Sequence, residues 1–440
     1  MTSKQMENIN VKQAPGPGAL KTLFYLSRLI WRQDVLDLMN ELHNQYGSIV
    51  QIQKYTLMNG IHASKFMMST GVEKFQRQPI AEAGPPSLAS KDGAEHKQHR
   101  KLVMNAFRPK QLEKYVASMS PLMKKRIASW DGEIDLFAEM KELTLDIVLR
   151  TMLGIEPGTD LHQRYMKGYW LLLNRGKESN KTNSTYQQAM RAKDVIWDVI
   201  KQLIQERRNN PSDDALTSLL EAYENSEDKL DEETFIGYAY MLTEFGEGDL
   251  ANMLTYAVAA LVFYPHIMDR VSQEVNSSSL DTSHIFNQMP YTLNLVREVE
   301  RLYPPVPYVA RYAMETVQYN DFFIPKGSIA VANIYLSHRC EQNFNDPLVF
   351  DPSRYERSVG EMNNPNSLIG FGVGNHMCVA KQYAQIQVCL FLQHLLQSSS
   401  LMSIKGLGVI PDMNYKGATS PSRTINIQVT KNSIHQEDIK

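Results

Sequence analysis

The sequence predicts a mainly helical protein with a small β region. Residues 113–224 and Asp231–Tyr264 carry apolar residues at helical spacing, and a similar apolar run extends from Tyr383 to Leu396. Strand-like segments are few and short, and they fall within residues 48–52 and 322–333. The fold class is therefore mainly α with a small β region.

Composition and cysteine usage narrow the class of protein. The 440 residues are 43% hydrophobic and 21% charged, which is typical of a globular chain. The net charge of -2 gives no reason to expect nucleic acid as a partner. Only Cys340, Cys378 and Cys389 occur, and such an odd, sparse set argues against a disulfide framework. We therefore predict a cytoplasmic protein.

The N-terminal segment carries no predicted membrane anchor. Residues 1–14 form a polar tail that lacks the apolar centre of a signal peptide, and Pro15–Gly18 ends it. The next apolar run, Leu20–Trp31, contains Lys21 and Arg28 and is shorter than the roughly 20 apolar residues of a membrane span. We interpret this run as a helix at the surface or beside a substrate channel.

The remaining elements follow in order. Tyr46–Gly47 predicts a turn into a short strand at Ser48–Ile52. Polar breaks divide the helical region that follows, at residues 154–159, 178–184 and 209–214. Asp231–Tyr264 is predicted as the longest helix, ended by Pro265.

Two further elements are predicted downstream. Pro290–Leu302 has a proline near its start, which predicts a short helix. Phe322–Pro325 and Ser328–Asn333, separated by Lys326 and Gly327, predict a β-hairpin.

A glycine-rich stretch, Phe371–Ala380, precedes the apolar helix near the C-terminus. Gly372 and Gly374 allow a tight turn and close approach to a flat ligand. Cys378 falls where the turn becomes a helix, and a helix N-terminus favours a thiolate. A thiolate on such a loop is a candidate axial ligand for haem iron, whereas a buried inert cysteine is the alternative.

This stretch resembles the haem-binding loop of the cytochrome P450 family, the haem-thiolate monooxygenases. The family pattern Phe-Gly-x-Gly-x-His/Arg-x-Cys-x-Gly/Ala is met at Phe371, Gly372, Gly374, His376, Cys378 and Ala380. Further family signatures follow in the correct order, so the resemblance covers almost the whole chain from Tyr46 onward. It implies one catalytic domain over residues 15–440, and haem b with Cys378 as the metal ligand. The thiolate would push electron density onto the iron and favour O–O cleavage.

The resemblance also implies a set of cofactor-binding residues. These are His96, Arg100, Arg311, Phe371, Gly372 and His376. His96 and Arg100 share a helical face, and the family uses this pair to bind haem propionates by charge-assisted hydrogen bonds. Arg311 would reach the second propionate. Without Cys378, a solvated basic face would be the simplest interpretation of the pair. His96 and His99 could instead bind a metal, but no cysteine or carboxylate lies at matching spacing.

Three charged residues resemble the ionic triad that lies behind the haem in this family. Glu298 and Arg301 form the Glu-x-x-Arg motif, and Arg354 lies in a segment like the family's Pro-x-Arg-Phe. The resemblance implies that they lock the core that holds the Cys378 loop. Breaking one member would leave buried charge unpaired.

The central helix departs from the family. The motif Ala/Gly-Gly-x-Asp/Glu-Thr corresponds to Phe245, Gly246, Glu247, Gly248 and Asp249. Glycine replaces the acid and aspartate replaces the alcohol, whose hydroxyl helps to deliver protons in the family. We predict Glu247, Gly248 and Asp249 as the catalytic positions, with Asp249 as a titratable proton relay. The alternative is that Asp249 bonds locally and that water carries the proton.

The resemblance implies an oxidoreductase that acts on an apolar or aromatic small molecule, in specialised biosynthesis. Dioxygen and electrons from a separate ferredoxin or flavodoxin with its reductase would drive the reaction, and a monomer is expected. Residues predicted to face the substrate are Phe245, Val306, Tyr308, Val309 and Thr419. Electrons would arrive at the Cys378 face, where positive charge is offered by Arg100, Lys101, Arg108, Lys110 and Lys381.

Hydroxylation is the default prediction, and several alternatives remain open. One is oxidative coupling of two aromatic units, such as phenols or indoles, without oxygen insertion. A second is a peroxide-driven or dehydratase-type haem enzyme, because such relatives also lose the acid and the alcohol. A third is a haem sensor without catalytic activity.

Overall fold

A computed structural model describes residues 12–31, 35–77, 86–173, 184–227, 230–244, 246–278, 285–356, 367–402, 409–415 and 419–431. Helices dominate, as the sequence predicts. The helices are α1 Ala19–Trp31, α2 Val35–Tyr46, α3 Ile61–Lys65, α4 Gly93–Met104, α5 Pro109–Ser129, α6 Leu136–Val148, α7 Asp160–Leu173, α8 Ser184–Asn209, α9 Ala215–Glu224, α10 Glu232–Glu244, α11 Glu247–Phe263, α12 Pro265–Ser277, α13 Ile285–Gln288, α14 Pro290–Leu302, α15 Ile334–Ser337 and α16 Lys381–Ser398.

Short strands supply the β region. The strands are β1 Lys12–Gln13, β2 Ile49–Ile52, β3 Tyr55–Asn59, β4 Phe75–Arg77, β5 Gly132–Asp135, β6 Tyr308–Ala313, β7 Val317–Tyr319, β8 Phe322–Ile324, β9 Ile329–Asn333, β10 Ser399–Met402, β11 Met413–Tyr415, β12 Thr419–Pro421 and β13 Asn426–Lys431. Two π-helical turns, Phe66–Thr70 and Leu149–Leu153, interrupt the helical regions.

The largest sheet has five strands in the order β2-β3-β9-β6-β4. β3 and β9 are parallel, whereas the other neighbouring pairs are antiparallel. β1, β8 and β7 form a second sheet, so Lys12 and Gln13 of the predicted tail are paired with Phe322 and Phe323. β10-β13-β5 and β11-β12 form two smaller sheets.

The predicted hairpin of residues 322–333 is wrong. β8 pairs with β7 instead, and the chain turns at Asn320, whose φ of 52° is a left-handed conformation that asparagine tolerates. β9 lies between β3 and β6. All five residues of β9 are buried, and a strand buried on both faces is stable only with neighbours on both edges.

The predicted single helix over Asp231–Tyr264 is also wrong, because it is two helices. α10 ends at Glu244 and α11 begins at Glu247, so α8, with 26 residues, is the longest described helix. A Cβ atom at Gly246 would lie 3.0 Å from Val148 Cγ2, which shows how closely α6 approaches the junction. Pro265 ends α11 as predicted and begins α12.

α11 passes through the centre of the molecule, and all of its residues from Leu250 to Leu261 are buried. It packs against α6, α12, α14 and α16. The Pro290–Leu302 helix has the predicted bounds. Across the described ranges no single helix has the length and hydropathy of a membrane span. Residues 232–263 and 265–277 reach these values only when they are taken together, and the chain bends by 110° between them.

Candidate functional site

The glycine-rich loop immediately precedes α16 in the sequence and packs against α14 in the fold. Gly372 and Gly374 have φ values of 74° and 69°, which glycine adopts without strain. A Cβ atom at Gly374 would lie 3.1 Å from the carbonyl oxygen of Met68, so the loop packs closely on the π-helical turn at residues 66–70. The Cys378 N–H donates to the Phe371 carbonyl over 2.8 Å, which closes the loop.

Cys378 lies in a recess of the protein. The residue is accessible, yet protein groups surround it closely enough that burial raises the pKa of its thiol to about 11. The backbone N–H of Ala380 opposes this increase only in part. This backbone contribution has the predicted direction but is smaller than the effect of burial, and α16 begins three residues later, at Lys381. A bound metal cation would supply the missing stabilisation, because it deprotonates a coordinating thiol outright.

Asp249 approaches the same recess from the first turn of α11. Burial, reinforced by the charge of Glu247, raises the pKa of Asp249 to about 7. The charge of Asp249 in turn raises the pKa of Cys378. Glu247 is buried, and its nearest cation is Lys141 Nζ, 3.8 Å from Oε1. A Cβ atom at Gly248 would meet nothing within 4 Å.

Five cationic or titratable side chains cluster beside the loop. They are Arg77, His96, Arg100, Arg311 and His376. Desolvation and the neighbouring cations lower the pKa of His96 to about 4 and that of His376 to about 3. The two imidazole rings lie 3.8 Å apart between centroids. Asp92 is the neighbouring carboxylate, 3.6 Å from His376 Nε2.

Arg77 was missed from the sequence. It lies directly opposite Arg311 across the β4–β6 pair, although like charges at opposed positions are destabilising. Burial and Arg311 lower the pKa of Arg77 to about 9. No sequence signal marks Arg77, because its position depends on the register of a three-residue strand.

This cluster fits the carboxylate groups of a haem. Within the described ranges, the buried atoms Arg77 Nε, Arg311 Nε and His376 Nδ1 have no hydrogen-bond partner. A buried donor without a partner is costly, so an anionic ligand is the natural complement. A cavity of about 770 Å³, lined by His96, Arg100 and His376 among others, adjoins the cluster.

Comparison with known proteins agrees with this geometry. The family model for cytochrome P450 matches residues 15–429. The chain belongs to the cytochrome P450 family. Members bind haem b through a cysteine thiolate and act as monooxygenases on small molecules with the help of redox partners.

Similar proteins include members of the family from bacteria and plants. The putative cytochrome P450 120 of Synechocystis is 24% identical over 90% of this chain and 92% of its own length. The abscisic acid 8'-hydroxylase 1 of Arabidopsis thaliana is 24% identical over 83% of this chain and 81% of its own length. Retinoic acid-bound cyanobacterial CYP120A1 superposes with a TM-score of 0.83 at 23% identity, over 96% of this chain and 100% of that structure.

In this cytochrome P450 the structure brings the predicted triad together. Glu298 accepts two hydrogen bonds from Arg301, each 2.8 Å long, and one from Arg354 Nε over 3.0 Å. The Asp351 N–H and the Tyr355 hydroxyl also donate to Glu298. The remaining guanidinium donors of Arg301 and Arg354 bind backbone carbonyl groups. All three triad side chains are fully or nearly fully buried.

The predicted substrate residues are only partly brought together. Tyr308 lies 5.1 Å from Tyr415 between ring centroids, and the Thr419 hydroxyl donates to the Pro305 carbonyl over 2.9 Å on a strand that packs against α11. Val309 is on the opposite face of β6 from Tyr308 and packs with the β-sheet core instead. Val306 is 41% exposed, and Phe245 lies outside the described residues.

Proposed function

We propose that this cytochrome P450 hydroxylates an isoprenoid small molecule with a largely hydrocarbon skeleton, with Cys378 as the axial ligand of the haem iron. One observation carries the proposal. Arg100, from the cationic cluster, and Asp249, from α11, both lie close enough to Cys378 for their charges to shift the pKa of its thiol. A thiolate, partners for two carboxylates and a titratable acid are what a haem-thiolate oxygenase requires.

The residues of the recess take distinct roles in this proposal. His96, Arg100, Arg311 and His376, together with Arg77, would hold the two propionates by charge-assisted hydrogen bonds. Phe371 and Gly372 would shape the loop against the face of the ring. Bound haem supplies dioxygen activation and the oxidant that attacks a C–H bond.

Asp249 is the proposed proton donor, in place of the family's threonine. Its raised pKa of about 7 lets it both hold and release a proton near neutral pH. Glu247 and Lys141 would connect Asp249 to the solvent, because the Lys141 side chain is about one-third exposed. Gly248 cannot carry a proton, so in this chain Glu247 and Asp249 together replace the family's acid–alcohol pair.

The proposed substrate class rests on two supports. Abscisic acid and retinoic acid, the compounds named for two similar proteins, are both isoprenoid carboxylic acids with largely hydrocarbon skeletons. The substrate side of this chain offers Tyr308, Tyr415 and Thr419, which present mainly carbon surface with a few hydroxyl groups. Pockets of this composition bind apolar molecules and orient them by a few polar contacts.

The proposed docking face for a ferredoxin or flavodoxin surrounds the Cys378 loop. Lys101, Arg108 and Lys110 are exposed there, and the apolar side chains of Met104 and Met377 are 49% and 41% exposed. Exposed cations around an apolar centre complement an acidic electron carrier.

Oxidative coupling of aromatic rings is the second candidate. Asp249 in place of threonine and the Tyr308–Tyr415 ring pair favour it, because coupling needs proton and electron removal without oxygen transfer to carbon. Flat phenols or indoles could stack on such rings.

The test combines binding and product analysis. Purified holoprotein is titrated with abscisic acid, retinoic acid and a set of phenols and indoles, and binding is followed by the Soret shift. Turnover with reductant under labelled dioxygen then distinguishes the outcomes. Label in a hydroxylated isoprenoid supports the proposal. Unlabelled dimers from phenols or indoles would support coupling, and equal turnover with peroxide alone would indicate the peroxide-driven alternative.

Cys378→Ser is the control for the ligand. The reduced, carbon-monoxide-bound wild type should show the strongly red-shifted Soret band of a thiolate haem, and the serine variant should lose it. Cys389→Ser, at a buried position in α16, should keep the band. A serine variant at position 378 with an unchanged band would show that Cys378 is not the ligand.

A further inference from the structure

Glu300 is a buried carboxylate that the Glu-x-x-Arg motif does not explain. It lies between Glu298 and Arg301 in the sequence, but it faces the glycine-rich loop rather than the triad. Its residue surface is 1% exposed. Oε1 accepts a hydrogen bond from the Phe371 N–H over 3.3 Å, and within the described ranges Oε2 has no partner.

The loop is fitted closely against this side chain. A Cβ atom at Gly370 would lie 2.5 Å from Glu300 Cγ, so a larger residue at position 370 cannot be accommodated without movement. The backbone of Gly370 also donates towards the Glu300 carboxylate. The first residues of the loop therefore rest directly on Glu300.

Phe371 links Glu300 to Cys378 through two hydrogen bonds of its backbone. Phe371 donates its N–H to Glu300 and accepts the Cys378 N–H at its carbonyl oxygen over 2.8 Å. Glu300 is also near enough for its charge to raise the pKa of the Cys378 thiol. The negative charge of a nearby carboxylate disfavours additional electron density on the sulfur and on any metal bound to it.

Charged and titratable groups from each neighbouring element face Glu300. Lys381 comes from α16, Arg297 from α14, Tyr355 from the segment after residue 351 and Cys378 from the loop. Burial raises the pKa of Glu300 to about 7, and Lys381 is the strongest opposing influence. The charge of Glu300 therefore changes within the neutral range.

We propose that Glu300 is a positioning residue of the Cys378 loop, and that its carboxylate charge lowers the reduction potential of the haem iron. The inference rests on the proposed ligation of the iron by Cys378, and it does not depend on the substrate. Its geometric basis is the Glu300–Phe371–Cys378 hydrogen-bond chain and the close contact with Gly370.

The test is a spectroelectrochemical titration of the holoprotein at pH 5.5 and pH 8.5. Glu300→Gln keeps the size of the side chain and an acceptor for the Phe371 N–H, and it removes the charge. At pH 8.5 the variant should have a more positive potential than the wild type, and at pH 5.5 the two should coincide. Glu274→Gln is the matched control, because Glu274 accepts N–H bonds from Tyr291 and Thr292 at the other end of α14.

Lys381→Met provides a second measurement if Glu300→Gln does not retain haem. Removing this cation raises the pKa of Glu300, so the pH at which the wild-type potential changes should move upward. Equal potentials of wild type and Glu300→Gln at both pH values, or an equal difference at both, would overturn the proposal. The proposal would also be overturned if, in Lys381→Met, the reduction potential changed at the same pH as in the wild type. Because only proteins with the thiolate band are compared, these outcomes are separate from loss of the ligand in Cys378→Ser.

Discussion

Glu298 and the pair Glu247 and Asp249 are carboxylate groups that the protein stabilises very differently. Glu298 accepts hydrogen bonds from two arginines, one backbone N–H and one tyrosine hydroxyl. The charge of Glu247 raises the pKa of Asp249, and the nearest cation, Lys141, is 3.8 Å from Glu247. A carboxylate whose acceptor positions are all used, as in Glu298, holds the surrounding structure together. One with few partners has a raised pKa and can exchange protons.

The largest expected effect is at Glu298, the carboxylate with the most hydrogen-bond partners. Glu298→Ala leaves Arg301 and Arg354 buried without a counter-charge, so the free energy of unfolding should fall by about 3–5 kcal/mol and haem should be poorly retained. Thermal unfolding and haem content measure this. Glu224→Ala, at an exposed ion pair with Arg208, is the control and should change stability by less than about 1 kcal/mol. Normal haem content and melting temperature in Glu298→Ala would contradict the triad interpretation.

The second effect concerns turnover rather than stability. Asp249→Asn removes the proposed proton donor and should slow turnover on the order of 10²-fold, while the Soret shift with substrate stays unchanged. Wild-type turnover should fall as pH rises through about 7, because Asp249 loses its proton there, and the Asn variant should lack this step. Equal turnover of both proteins, at equal coupling of reductant to product, would exclude the relay.

A double substitution sharpens this comparison. Gly248→Glu combined with Asp249→Thr installs the acid and the alcohol of the family motif. A Cβ atom at Gly248 meets nothing within 4 Å, so the backbone can accept the larger residue. Turnover should recover relative to Asp249→Asn.

Arg77 should have opposite effects on the protein with and without haem. Arg77→Met removes one partner of a propionate, worth roughly 1.5–3 kcal/mol for a hydrogen bond to a charged group, so haem dissociation should accelerate about 10- to 100-fold. The haem-free variant should be slightly more stable, because Arg311 no longer faces a like charge across the strand pair. Haem transfer to an acceptor protein and thermal unfolding measure the two effects. Arg77→Lys keeps the charge and should retain most of the affinity; unchanged dissociation in Arg77→Met would remove Arg77 from the site.

The smallest effect is a pH-dependent change in stability. The folded-state pKa of Asp249 is raised above its usual value near 3.8, so ionising this group costs stability as pH rises from there to about 7. The haem-free Asp249→Asn protein should therefore gain stability over the wild type at pH 8, and much less at pH 5. Asp194→Asn, at an exposed position in α8, is the control. A gain of equal size at both pH values would show a cause other than this ionisation.

The parts of the fold and site that could be predicted depend on local sequence. The bounds of Pro290–Leu302 and the turn at Gly372 and Gly374 follow from proline, glycine and apolar spacing. Resemblance to the family placed Cys378 and the members of the triad.

The missed features depend on contacts between distant segments. Arg77 becomes part of the site only through the register of β4 against β6. The break before Glu247 occurs where Val148 approaches Gly246, and the sequence does not identify Val148 as the partner of that contact. The orientation of Glu300 follows from how α14 packs under the loop, whereas the spacing of Glu298 and Arg301 describes only the other side of that helix.

The break before α11 also changes the local dipole field at the catalytic acid. Because the helix starts again at Glu247, its first N–H groups have no carbonyl partners within the helix and carry partial positive charge. Asp249 lies in that first turn, where this field favours the carboxylate and opposes the effect of burial. In an uninterrupted helix the same residue would lie in the helix interior, where this compensation is absent. The interrupted helix and the aspartate are thus two parts of one change, and transferring only the aspartate to a continuous helix should give a more basic, slower acid.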